Sequence, residues 1–85
     1  MTEVQRQVSE AEPYIREALE ANGFRLVVVW PGSRHEIAPR WEVSAGRKVL
    51  DYWPTTGQWR CPWGLVGLVI DWWDIVEVAT DHKED

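Results

Sequence analysis

Val49-Leu50-Asp51-Tyr52-Trp53-Pro54-Thr55-Thr56-Gly57-Gln58-Trp59-Arg60-Cys61-Pro62-Trp63 decides the fold. Val49, Leu50, Tyr52 and Trp53 are β-branched or bulky residues that suit a pleated surface. Pro54 cannot continue a ladder and Gly57 accepts a positive φ, so Pro54–Gly57 reads as a four-residue hairpin loop. Trp59 then returns opposite the aromatics that precede the loop. The stretch specifies a hairpin without naming an activity.

Working outward, Arg47–Tyr52 follows a turn at Ser44-Ala45-Gly46, and Trp41-Glu42-Val43 precedes it as another extended segment. Residues 31–40 read as a loop, because Pro39 breaks any long strand there. Phe24–Trp30, with three consecutive valines, reads as a strand. Before it, Ser9-Glu10-Ala11-Glu12 has capping-box spacing, and Ala11, Ile15, Ala18 and Leu19 form a helical stripe. Gly23 supplies a left-handed stop and Phe24 the apolar residue after it, so a helix is expected over about 10–22. At the other end, Leu65, Leu68, Val69, Trp72, Ile75, Val76 and Ala79 keep helical spacing and predict a second helix over 64–79. The order implies one α+β domain over 1–85, with αβββα topology. Its antiparallel sheet has three to four strands and both helices on one face. Residues 1–8 and 80–85 are expected to be flexible.

An 85-residue chain buries a limited core, and its seven tryptophans help fill it. The single Cys61 excludes an internal disulfide and fits a reducing cytosol. No apolar run is long enough to span a bilayer and no signal-peptide pattern opens the chain, so a cytoplasmic protein is expected. The net charge of −5 is unevenly spread: −3 over residues 1–22, +3 over 23–63 and −5 over 64–85. One Cys and two distant His cannot build a structural zinc site, and Asp71, Asp74, Glu77 and Asp81 read as a solvated helix face, so no metal or cofactor is expected.

Two resemblances follow from quoted residues. Asn22-Gly23-Phe24-Arg25-Leu26-Val27 after a helix, then Gly32-Ser33-Arg34-His35, is similar to the opening of HicA-type toxins. The resemblance covers about residues 13–53. It implies a double-stranded-RNA-binding fold and RNase activity, with His35 as the general acid/base. Asp51–Trp59 resembles a pattern in small phage and prophage proteins, which implies a mobile-element protein. Arg34 separates Ser33 from His35, where the toxin pattern joins them, and the acidic balance opposes RNA binding.

The leading expectation is therefore a non-enzymatic interaction protein that modulates or inhibits a host nucleic-acid or defence machine. A HicA-like RNase or a non-catalytic RNA binder is the alternative. Trp41, Trp53 and Trp59, interleaved with Arg25, Arg40, Arg47, Lys48 and Arg60, are the candidate partner surface, since aromatic and Arg side chains suit both protein hot spots and base stacking. Val66, Ile70 and Trp73 make a second apolar line on the last helix, expected to serve a homodimer.

Overall fold

The first helix, α1, spans Glu3–Ala21 in the computed structural model, which describes residues 3–30 and 39–83. Val8, Ala11, Ile15, Ala18 and Leu19 line its inner face; Val8, Ile15 and Leu19 are buried. The capping-box reading puts the start at Ser9. Instead Ser9 is an exposed interior residue and Pro13 lies inside the helix. Burying Val8 contributes about 1.5–3 kcal/mol. This offsets much of the roughly 3 kcal/mol that proline costs within a helix, so residues 3–8 are helical where a flexible lead-in was expected. The C-terminus ends as predicted. Gly23 has φ 85°, its N–H donates to the Glu20 carbonyl, and the Phe24 N–H donates to the Leu19 carbonyl at 2.9 Å. That pair of bonds is the Schellman motif.

Five antiparallel strands follow in simple meander order: β1 (Arg25–Val29), β2 (Arg40–Ala45), β3 (Arg47–Trp53), β4 (Gln58–Arg60) and β5 (Val66–Leu68). The register aligns Val28, Trp41, Tyr52, Trp59 and Gly67 in one row, and Leu26, Val43 and Leu50 in the next. These rows face the helices. The alternate row, Val27, Glu42, Asp51, Arg60 and Val66, faces away. The β2–β3 register shifts between Val43 and Ser44, leaving Val49 as an extra residue. This bulge lets the consecutive Val49 and Leu50 both enter the core.

The β3–β4 loop is the predicted one. The Thr56 and Gly57 N–H groups both donate to the Trp53 carbonyl, and Gly57 is left-handed. The β4–β5 turn repeats the device, with Pro62 in second place, Gly64 N–H donating to the Cys61 carbonyl, and Gly64 at φ 101°.

The long second helix is overturned. Residues 66–68 are a strand, and only Asp74–Asp81 forms a helix, α2. Gly67 decides against the helix: its backbone lies on Trp59, and a Cβ there would stand 2.5 Å from the Trp59 ring. Ile75 and Ala79 of α2 are buried against the same face as α1, which completes an α+β layer pair. The tail is not loose through Lys83. Its Nζ donates to the Asn22 carbonyl at 3.0 Å and lies over the Phe24 ring, tying the C-terminal ends of both helices together.

Candidate functional site

With both helices on one face, the other face of the sheet carries no helix among the described residues. At its centre β2 and β3 place four charges together. Lys48 Nζ lies 2.8 Å from Asp51 Oδ1 and 3.4 Å from Glu42 Oε1; Arg40 lies 3.0 Å from Glu42 and 3.7 Å from Asp51. Glu42 and Asp51 are cross-strand partners, so their carboxylates would repel without the two cations between them. Exposed Val27 on β1 and Val66 on β5 stand at the two ends of this row, with exposed Arg60 beside Val66 and exposed Arg25 in the neighbouring row. Trp53, half-buried, shares the face with Gln58 and Leu68.

The structure divides the predicted partner residues. Arg25, Arg40, Lys48, Trp53 and Arg60 are on the helix-free face. Trp41 and Trp59 are not: they are 1% and 8% exposed, inside the core. Trp41 meets Tyr52 edge-on at 5.7 Å between centroids, and Trp59 lies 5.5 Å from the His82 ring, tilted 39° to it. They are overturned as surface anchors because they share a face with Val43 and with the other helix-side residues. Arg47 lies instead at the end of the sheet, 5.7 Å over the half-exposed Trp63 ring.

The predicted self-association line is also dispersed. Val66 is on β5, Ile70 is in the following turn, and Trp73 precedes α2; no helix joins them, yet all three are exposed. Sequence reasoning missed Leu68, 74% exposed, by placing it on the main apolar stripe of the expected helix. His35 lies outside the described residues.

Among the described residues, a groove of about 270 Å³ opens between Val8, Ser9 and Glu12 of α1 and Val28, Trp30 and Trp41 of the sheet. Glu12 in this groove is tied to Arg16, whose Nε donates to its Oε1 at 2.7 Å. No group of three or more His, Cys, Asp or Glu among the described residues is placed to hold a metal. No helix among them is long and apolar enough to cross a membrane. Tyr52 is the one described group with a clear pKa shift: burial first, then Asp71 and Asp74, push its phenol well above the ordinary range.

These features define a small α+β protein with a sheet face that is helix-free among the described residues. Comparison with protein-family models, with curated proteins and with solved structures returns no match for this chain.

Proposed function

We propose that the chain is a non-enzymatic interaction protein that binds a protein partner through the helix-free face of its sheet. The observation that carries this is the mixed charge of that face. Arg40 and Lys48 are already neutralised by Glu42 and Asp51, within a frame of exposed Val27, Val66 and Leu68. A polyanion is held by cations free to release its counterions. A protein surface is matched by alternating charges around apolar contacts, which set register and orientation. Arg25 and Arg60 then supply the cationic rim. The likeness of Asp51–Trp59 to small phage proteins directs the search for that partner to host nucleic-acid and defence proteins.

The test is capture with the full chain as bait, beside Val27→Glu and Arg60→Glu on the face and Glu17→Lys on α1. A partner held by wild type and Glu17→Lys, and weakened by about 2 kcal/mol in the face variants, supports the reading. Retention of RNA that falls with salt and with Arg25→Ala, or RNA cleavage abolished by His35→Ala, overturns it in favour of the RNA reading.

A further inference from the structure

The two edges of the sheet are treated differently. On the β1 edge, Arg16 of α1 reaches across and its Nη1 donates to the Leu26 carbonyl at 2.7 Å. A charged side chain thus occupies a backbone acceptor there. β5, the other edge, has no such cover among the described residues, and residues 64–70, Gly-Leu-Val-Gly-Leu-Val-Ile, contain no charge and no proline. Of the usual devices that blunt an edge strand, β5 keeps only its shortness, three residues, and lacks the charge, the proline and the side-chain cover.

The ladder phase shows which groups are left over. The Val69 N–H donates to the Gly57 carbonyl and the Cys61 N–H to the Leu65 carbonyl, so Leu65, Gly67 and Val69 point their backbone groups at β4. Val66 and Leu68, alternating with them, point theirs outward. Their side chains are exposed as well, at 55% and 74%.

We infer that β5 pairs antiparallel with β5 of a second copy, about a two-fold axis at Gly67. This register sets Val66 opposite the partner copy's Leu68, so the outward N–H and C=O groups of both residues exchange bonds, and each apolar side chain meets the other across the seam. The axis position, where the two chains approach most closely, is occupied by a glycine. The pairing is self-complementary, as a two-fold interface must be. With no charge in residues 64–70, the net charge of −5 is not concentrated at the seam. The exposed parts of Val66, Leu68 and Ile70, the residues in phase with the outward edge, amount to on the order of 400 Å² per copy. A standard interface takes about 800 Å² per partner, so this smaller seam, with the backbone edge added, is that of a weak dimer, to be sought in the micromolar range. The result is one continuous sheet of two copies, whose helix-free faces join at Val66 and Leu68.

Sedimentation equilibrium on the full chain from about 1 to 200 μM covers that range. Wild type is expected to pass from monomer to dimer. Leu68→Lys places a charge on the seam, and Leu68→Pro removes one outward N–H that the monomer does not use; each is expected to weaken association at least about 100-fold while the far-UV spectrum and thermal melt stay native. Amide exchange gives the second readout: the Val66 and Leu68 N–H groups are protected in the wild-type dimer and exchange freely in Leu68→Lys. A wild type monomeric over the whole range overturns the inference. So does a dimer that survives Leu68→Lys, or one whose Val66 and Leu68 amides exchange at the free rate.

Discussion

Gly46 and Gly57 have nearly the same backbone, φ 80° and 79°, in different surroundings. Among the described residues nothing stands within 4 Å of a Cβ built on Gly46, whereas one built on Gly57 runs into the Val69 carbonyl oxygen, the acceptor side of the residue whose N–H binds Gly57. Gly46→Ala is therefore expected to cost only the left-handed penalty, about 1–2 kcal/mol. Gly57→Ala should cost that plus roughly 1–3 kcal/mol for overpacking. Urea melts of the two variants isolate the contact, and equal losses would show that Val69 moves aside. Tyr52 offers a second residue-scale test. Its hydroxyl is buried with no hydrogen bond among the described residues, and burial, Asp71 and Asp74 hold its pKa above the ordinary value of about 10. Below that value both states keep the proton and Tyr52 adds no pH dependence. Above it the unfolded chain ionises first, so stability falls as pH rises. Tyr52→Phe should be close to neutral in stability at pH 7 and should flatten the alkaline fall measured by urea melts between about pH 9 and 11.

The elements differ in how openly the sequence declares them. The end of α1 is legible because Gly23 and Phe24 each do a specific job in one motif. The β3–β4 loop is legible because Pro54 and Gly57 permit little else. β5 is not, because Val66, Leu68, Val69 and Ile70 satisfy helical spacing and strand propensity equally. The signal against a helix was Gly67 inside the stretch, and its reason, the Trp59 ring on that backbone, is a tertiary contact. The bulge that buries both Val49 and Leu50 has no local sequence signature either. The start of α2 could have been read from Asp71. Its Oδ1 accepts the Trp73 N–H at 3.0 Å, while the Asp74 N–H donates to the Asp71 carbonyl. Asp71→Ala removes this local turn bond ahead of the Trp73 N-cap and should therefore cost about 0.5–1.5 kcal/mol. A thermal melt checks it; no change would mean that the Trp72 indole, whose Nε1 donates to the Pro54 carbonyl at 2.9 Å, holds this entry alone.

At the scale of the molecule, the layers carry opposite charge. In α1, Glu3, Glu10, Glu12, Glu17 and Glu20 outnumber Arg6 and Arg16; around α2, Asp71, Asp74, Glu77 and Asp81 outnumber Lys83. The charge contrast was legible in the sequence, but the division of the tryptophans was not drawn from it. Trp41 stands two residues from Val43 with Glu42 between, which already assigns it to the apolar face. Both acidic helices lie side by side on one face of the sheet. Two electrostatic effects then oppose each other. Repulsion between the helices destabilises the fold and acts between exposed groups, so salt weakens it within a Debye length of about 10 Å at 0.1 M. Attraction in the Arg40, Glu42, Lys48 and Asp51 cluster stabilises the fold, but those side chains are partly buried and screened less. The balance favours the helices: sodium chloride raised from about 10 to 500 mM should increase the melting temperature. Glu17→Lys should add a few tenths of a kcal/mol at low salt, and that gain should shrink at high salt. A melting temperature that falls on adding salt would mean that the cluster, not the helical layer, governs the electrostatics of folding.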